Sequence, residues 1–104
     1  MDFNEYKRLA MLTSGKTDLA CAGLGITGEA GEVADIIKKH LYHGHKLNID
    51  SIKKELGDCC WYIALICELL NIDFNEVAKI NIEKLNKRYP TGFSESLSIN
   101  RSDK

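Results

Sequence analysis

The sequence predicts an all-α domain, and three observations carry that prediction. The 104 residues include a single proline, Pro90, so long segments are free of the strongest helix breaker. Apolar residues recur every three or four positions over most of the chain, which is the period of an amphipathic helix, and alternating β-branched runs are few. The length fits one small domain, whose thin core favours further burial by self-association.

The first two predicted helices are bounded by capping residues and glycines. Asp2 and Glu5 form a box-like N-terminal cap for a first helix that ends near residues 14–15. A second helix begins around residues 17–18 and ends at Gly44. Its apolar stripe consists of Ile26, Ala30, Val33, Ile37 and Leu41.

Two further helices complete the prediction. The third runs from about Asp50 to about Leu70, with an apolar stripe of Ile52, Leu56, Cys59, Ile63, Ile66 and Leu70. The fourth has Asp73 and Glu76 as a capping box and ends before Pro90. Its apolar positions are Ala78, Ile82 and Leu85.

Residues 1–90 are therefore predicted to form one helical domain, and residues 91–104 a polar, Ser-rich tail or arm. The net charge of −1 gives no sign of binding to nucleic acid or to an anionic membrane. With no apolar run of about 18 residues and no signal peptide, the chain is expected in the cytoplasm. The cysteines are expected to be reduced thiols that act as small buried hydrophobes: Cys21, Cys59, Cys60 and Cys67.

Glycines at positions 23, 25 and 28 of the stretch GLGITGEAGE spell G-x-G-x-x-G, a pattern that can cradle a dinucleotide. That interpretation requires a β-strand before Gly23 and a βαβ unit around it. The preceding residues DLACA and the helical periodicity on both sides give neither. We therefore expect these glycines to let a neighbouring helix or a ligand approach the backbone closely.

Two pairs of acidic residues are the stronger chemical signal. Glu29 and Glu32 lie three apart on the second helix, and Glu55 and Asp58 lie three apart on the third. Residues three apart share a helix face. A single such pair in a chain with 28% charged residues is usually part of a solvated face, but the recurrence on two helices favours a shared site.

The positions of the two pairs agree in rotation and in height. Each acidic residue precedes an apolar-stripe residue, so both pairs are rotated by about 100° from the stripe. Counted from the turn at residues 44–49, Glu32 lies roughly 16 Å along the second helix and Asp58 roughly 14 Å along the third. We therefore expect all four carboxylates to meet at one edge of the core. Oxygen-only ligands suit Mg²⁺ or Mn²⁺, which would relieve their mutual repulsion.

Cationic and aromatic side chains occupy positions where they could contact phosphate. One polar face of the fourth helix carries Asn81, Lys84 and Arg88. Lys38 and Lys39 follow the first acidic pair, and a solvated helix face explains these cations as well as phosphate binding does. Tyr62 lies four residues after Asp58 on the carboxylate face, whereas Trp61 is expected in the core.

Three segments resemble the MazG-like nucleotide pyrophosphohydrolases: GLGITGEAGEVADIIKK, KKELGDCCWYIA and NIEKLNKRYPTGFS. The resemblance extends from Tyr6 through Ser94, and the combination of E-x-x-E, E-x-x-D, ELGDxxWY and KLxxRYP is specific. It implies a four-helix bundle of the MazG type that assembles as a homodimer or homotetramer. The implied activity is Mg²⁺-dependent cleavage of nucleoside triphosphates between the α- and β-phosphates, giving a monophosphate and pyrophosphate.

The resemblance also implies roles for individual residues. The metal ligands would be Glu29, Glu32, Glu55 and Asp58. One of the glutamates would in addition help to activate water; the resemblance does not determine which, and Glu32 is our choice. Tyr62 would contact the substrate. The phosphates would be held by Asn81, Lys84 and Arg88. Base specificity varies within the family; independently of the resemblance, we expect Lys39 and the first helix, around Tyr6, to reach the base.

Two alternatives remain open at this point. The phosphoribosyl-ATP pyrophosphohydrolases share the helical acidic design and would act on a different substrate. A non-catalytic helical interaction module would use the acidic face to bind a partner or a cation without turnover. Nothing in the sequence determines the preferred base, the choice of ribose or deoxyribose, or the number of subunits.

Overall fold

The computed structural model describes residues 1–101, and the all-α prediction is confirmed. The helices are α1 (Phe3–Met11), α2 (Leu19–Tyr42), α3 (Ile49–Leu69), α4 (Phe74–Arg88) and α5 (Glu95–Ile99). The first four correspond to the four predicted helices, whereas α5 lies in the segment predicted to be a polar tail. Among the described residues, no helix has the length and apolarity needed to span a membrane.

Side-chain caps explain where the helices begin. Each helix starts after a residue whose side chain accepts a hydrogen bond from the backbone N–H three positions later: Asp2, Asp18, Asn48, Asp73 and Ser94. Such caps satisfy N–H groups that have no partner within the helix. The predicted caps Asp2 and Asp73 are thus confirmed. The Glu5 carboxylate pairs with the Arg8 guanidinium at 2.7 Å, so Glu5 forms an i,i+3 ion pair on α1.

Two asparagines join the N-terminal ends of α1 and α4 by capping each other's helix. The Asn75 side-chain oxygen accepts from the backbone N–H of Phe3 at 3.0 Å and from that of Asn4 at 3.3 Å. The Asn4 side-chain oxygen accepts in return from the backbone N–H of Phe74 at 2.8 Å. The Phe3 and Phe74 rings stack beside this junction with centroids 4.8 Å apart. The start of α4 is therefore tied to α1.

α2 and α3 form an antiparallel hairpin, and α1 packs across α3. Gly44 has a φ of +73° in the connecting turn, a left-handed conformation that glycine adopts without steric cost. The turn then folds back along the last turn of α2, where the N–H of His45 donates to the carbonyl of Lys39 at 3.2 Å.

The fully buried core of a single chain is small. Among the described residues its hydrophobic members are Ala22, Ala64, Leu65, Cys67 and Phe74. The expectation of buried cysteines holds for Cys67 alone, because Cys59 and Cys60 are half-buried and Cys21 is exposed. A core of this size leaves much of the apolar surface of the helices in contact with solvent.

α4 extends away from the α2–α3 hairpin and packs chiefly against α1. The radius of gyration is 16.8 Å, with extents of 43 × 43 × 27 Å. A compact chain of this length has a radius of gyration of about 13 Å. Two apolar side chains that face solvent are Ile82 of α4, which is 56% exposed, and Leu24 of α2, which is 75% exposed. The four long helices have the lengths that a bundle needs, but α4 of one chain does not close against its own α2.

Candidate metal centre

Three carboxylates from the hairpin form a cluster that could hold a metal ion. Oxygen atoms of Glu29, Glu55 and Asp58 all lie within 4.8 Å of one another, and these residues are referred to as the carboxylate cluster. Glu29 comes from α2, and the other two occupy one face of α3, three residues apart. Sequence spacing and helix pairing together therefore produce a convergent set of oxygen donors.

Glu32 lies outside this group, which corrects the expectation that all four carboxylates meet. The register of the hairpin is shown by its contacts, which bring Glu29 to Glu55 and Asp58 and Gly25 to the Tyr62 ring. Glu29, and not Glu32, therefore lies level with Asp58. Glu32 is exposed one turn nearer the connecting turn, where its charge still acts on Glu29.

The carboxylates perturb one another in the way that close acidic groups do. A hydrogen bond with the Glu55 carboxyl raises the pKa of Glu29, and partial desolvation and the charge of Asp58 raise it further. Bringing these groups together as anions is therefore unfavourable. A divalent cation would remove the repulsion, and an all-oxygen donor set fits Mg²⁺ or Mn²⁺. On donor chemistry, the residues present fit such an ion.

Gly25 brings Tyr62 to the edge of the cluster. A Cβ atom at position 25 would overlap the Tyr62 ring, so that ring lies directly against the α2 backbone. The other two glycines of the G-x-G-x-x-G pattern, Gly23 and Gly28, have open space at the corresponding point. Close approach of a neighbouring helix, which the sequence predicted for these glycines, is thus confirmed at Gly25.

Trp61 was expected in the core, but the structure places this half-buried residue beside the carboxylate cluster. It lines a cleft of about 320 Å³ together with Glu29, Asp58 and Tyr62, which we call the carboxylate cleft. Its indole N–H donates to the Thr13 hydroxyl at 2.8 Å and to the Ala10 carbonyl at 3.2 Å. The available signal was its position three residues after Asp58, on the same helix face.

A larger cleft, of about 450 Å³, lies between α1 and the start of α4. Apolar atoms dominate its walls, which include Phe3, Tyr6 and Cys60. The Tyr6 hydroxyl faces the Gly57 carbonyl at 3.4 Å, on the side of α3 that packs against α1. Apolar walls offer few ligands for a metal ion or a phosphate group. The metal chemistry therefore points to the carboxylate cleft and not to this larger cleft.

Lys39 is engaged in an ion pair away from the cluster. Its ammonium lies 2.9 Å from the Asp35 carboxylate, and that of Lys38 lies 3.3 Å from the same group. The hydrogen bond with Asp35 raises the pKa of Lys39, and the two lysines lower the pKa of Asp35. Lys39 is also ten residues, or roughly 15 Å, along α2 from Glu29. The i,i+3 and i,i+4 spacing from Asp35 was readable in the sequence.

The phosphate-binding residues predicted on α4 are not packed against the cluster within one chain. Asn81 and Lys84 are exposed on a helix whose packing is chiefly with α1. The Arg88 guanidinium carbon lies 5.9 Å from the centroid of the Tyr89 ring. These three residues lie 7 to 14 positions beyond Phe74, in the part of α4 remote from its junction with α1.

The family of the chain follows from comparison with known proteins. Residues 21–93 match the model of the MazG nucleotide pyrophosphohydrolase domain, a segment that runs from the first turn of α2 through α4. The chain belongs to the MazG nucleotide pyrophosphohydrolase domain family. The "Gene 37 protein" of Mycobacterium phage L5 is 33% identical over 87 residues, which cover 80% of this chain and 76% of the phage protein. No solved structure matches the chain.

The MazG match covers the carboxylate cluster and leaves out α1. All three members of the cluster, with Trp61 and Tyr62, fall within the matched segment. Ala10 and Thr13, which receive the indole hydrogen bonds, lie before it. In this MazG domain, Trp61 of the carboxylate cleft is therefore held by hydrogen bonds to residues that precede the segment matched by the family model.

Proposed function

We propose that the protein is a Mg²⁺-dependent nucleoside triphosphate pyrophosphohydrolase that cleaves between the α- and β-phosphates, giving a nucleoside monophosphate and pyrophosphate. The observation that carries this proposal is the convergence of Glu29, Glu55 and Asp58 in a chain of the MazG family. The three carboxylates would hold Mg²⁺ or Mn²⁺, and Glu32 would join them as a ligand or through water. Once bound, the ion would neutralise phosphate charge and polarise the attacking water.

The residues of the chain have distinct tasks in this proposal. Glu32, which is exposed beside the cluster, accepts a proton from the attacking water. Tyr62 contacts the substrate from its position against Gly25. Pyrophosphate leaves as its charge is balanced by Lys84 and Arg88 of α4, and Asn81 of the same helix is the candidate for a neutral hydrogen bond to phosphate.

We further propose that the active form is a homodimer or homotetramer. α4 of one chain extends away from its own hairpin and exposes Ile82, so a second copy can supply the missing packing. In such an assembly α4 of one copy lies beside the hairpin of the other. This arrangement would complete a four-helix bundle and bring Lys84 and Arg88 to the carboxylates.

Pyrophosphate release provides the direct test. Wild-type protein is incubated with a panel of ribo- and deoxynucleoside triphosphates and with phosphoribosyl-ATP in Mg²⁺. We expect release from one or more triphosphates and a loss of about 100- to 1,000-fold in Asp58→Asn, the usual effect of removing one preorganised electrostatic group. Glu32→Gln should lose about 100-fold or more if Glu32 is the base. Glu68→Gln, on the same helix and outside the site, serves as the control and should retain activity.

Other outcomes lead to other functions. Release from phosphoribosyl-ATP alone would assign the protein to that enzyme class. A folded protein that releases no pyrophosphate from any substrate would be a helical binding module.

Mg²⁺ at 100 times its Kd should stabilise the native state by about 2.7 kcal/mol, which melting curves would record. A melting temperature that is insensitive to Mg²⁺ would contradict the metal site.

A further inference from the structure

The indole of Trp61 is held in a fixed orientation at the carboxylate cleft. Its N–H is shared between the Thr13 hydroxyl and the Ala10 carbonyl at the end of α1. The Tyr62 ring meets it nearly edge-on, with centroids 5.1 Å apart and planes inclined at 81°. The Thr13 hydroxyl is itself anchored, since it donates to the Ala10 carbonyl at 2.7 Å. α1 thus fixes a flat aromatic surface one helical turn above Asp58.

The carboxylate cleft is lined by two chemically different kinds of side chain. Glu29 and Asp58 are carboxylates, which can hold the cation of a metal–phosphate group. Trp61 and Tyr62 add aromatic carbon. A nucleotide has the same division, because its phosphates are anionic and its base is a flat π-system. Aromatic side chains stack on bases irrespective of base identity.

We propose that Trp61 is the wall on which the nucleobase of the substrate stacks, and that Thr13 is the residue that positions it. This inference rests on the proposed function, which places the triphosphate at the carboxylate cluster. It assigns base binding to one tryptophan and the orientation of that tryptophan to a helix outside the family match. A competing role for Trp61 is that of a pin, which joins α1 to α3 through its N–H and has no contact with the base.

Fluorescence of the wild-type protein tests the contact directly, because Trp61 is the one tryptophan of the chain. The probes are the α,β-methylene analogues of dATP, dGTP, dCTP and dUTP with Mg²⁺, and inorganic tripolyphosphate serves as a ligand without a base. We expect saturable quenching by at least one analogue, and displacement of that analogue by tripolyphosphate, which does not quench. Calorimetric binding of an analogue with unchanged fluorescence would overturn the proposal.

Two substitutions distinguish stacking of the base on Trp61 from a purely structural role of Trp61 as a pin between α1 and α3. Trp61→Phe keeps an aromatic face and loses the N–H, whereas Trp61→Leu loses both. Stacking predicts that Trp61→Leu raises the analogue Kd about 5- to 100-fold, that Trp61→Phe raises it much less, and that the tripolyphosphate Kd stays unchanged. Equal losses in the two variants, or equal losses for the two ligands, would show a pin and overturn the proposal. Should Trp61→Leu fail to fold, the fluorescence experiment still decides.

Thr13→Val tests the positioning role, and Tyr42→Leu, which removes an aromatic ring that is 79% exposed at the end of α2, is the control. Thr13→Val should lower the fluorescence anisotropy of Trp61 and weaken analogue binding without affecting tripolyphosphate. A lower melting temperature with unchanged analogue affinity would reduce Thr13 to a structural role and contradict that part of the proposal. Tyr42→Leu should leave both affinities as they are.

The proposed function fails in a different way. Trp61-dependent analogue binding with no pyrophosphate release from any triphosphate would retain the stacking assignment and eliminate hydrolysis. Pyrophosphate release from wild type, with no dependence of nucleotide affinity on Trp61, would retain hydrolysis and eliminate stacking. Absence of binding by all four analogues would overturn the stacking assignment, whereas the pyrophosphate assay alone decides hydrolysis.

Discussion

Helices α2 and α3 pack against each other, whereas helix α4 packs chiefly against α1. The hairpin contributes Ala22, Ala64 and Leu65 to the buried core, although Leu24 and Leu41 stay exposed. α4 is anchored at its start, where Phe74 is buried, and exposes Ile82 and Leu85 further along. Both helical segments have the amphipathic pattern of core-facing helices.

The two regions also carry different parts of the candidate site. The carboxylate cluster belongs to the hairpin, and Asn81, Lys84 and Arg88, which are proposed to hold phosphate, belong to α4. Catalysis by the proposed mechanism needs both sets together. Under this proposal, assembly and activity depend on each other.

The largest expected effect concerns the exposed face of α4. Ile82→Asp places a charge among Ala78 and Leu85, whereas Ile80→Asp places the same charge about 160° away around the helix. If α4 packs on a second copy, Ile82→Asp should weaken association at least about 100-fold, because a large apolar contact is lost in each of two subunits. Light scattering across a protein dilution series measures this.

Ile80 is the matched control for that experiment, since it is 52% exposed against 56% for Ile82. Ile80→Asp should leave the oligomer intact. Equal dissociation by both substitutions, or by neither, would contradict the assignment of the Ile82 face as the interface.

The next effect tests the close packing within the hairpin. Gly25→Ala introduces a Cβ that overlaps the Tyr62 ring, and we expect a loss of about 1–3 kcal/mol in the free energy of unfolding. Gly31→Ala, at a helical position with open space, should instead gain about 0.5–1 kcal/mol. Urea denaturation of both variants provides the comparison, and a stabilised Gly25→Ala would refute the contact.

A smaller effect concerns the junction that ties α4 to α1. Asn75→Ala removes the acceptor for the N–H groups of Phe3 and Asn4, and should lower the free energy of unfolding by about 1 kcal/mol. Asn86→Ala, at an exposed position of the same helix, should change it by less than about 0.5 kcal/mol. Similar urea midpoints for the two variants would show that the reciprocal caps contribute little.

The smallest effect is electrostatic and depends on pH. The pKa of Glu29 is raised in the folded state, so its contribution to stability is full below its unfolded pKa and is lost as pH rises through the folded value. Without divalent cations, Glu29→Gln should therefore become more stable relative to wild type as pH rises above about 4.5. Saturating Mg²⁺ should abolish this trend by compensating the charge.

Melting temperatures of wild type and Glu29→Gln, measured in EDTA and in Mg²⁺ from acidic to neutral pH, test that expectation. The lowered pKa values of Asp2 and Asp73 act in the opposite direction and are common to both proteins, so they cancel in the difference. A difference that does not vary with pH in EDTA would contradict the mutual repulsion in the cluster.

The features predicted correctly from the sequence are local ones. Asp2 and Asp73 were recognisable as caps because capping acts over three residues. The spacing of Glu55 and Asp58 likewise fixed their common face within one helix. The pairing of Lys39 with Asp35 is equally local but was not predicted, because a phosphate-binding interpretation fits the same lysine.

The features predicted incompletely all involve a second element of structure. The height of Glu29 against Asp58 depends on how the turn after α2 folds back, and no periodicity records that path. Trp61 reads as a core residue because its partners, Ala10 and Thr13, are about 50 positions away in sequence. The short helix α5 lies in a segment whose polarity favours a tail.

The sequence by itself determined the helices, their starting residues and the acidic residues that define the chemistry, because each depends on interactions within a few residues. The tertiary structure decided which carboxylates meet, which glycine receives a ring, and how the indole is held. It also decided that α4 lies apart from the hairpin. These features are set by the relative height and orientation of whole helices, which depend on a turn and on contacts between distant positions.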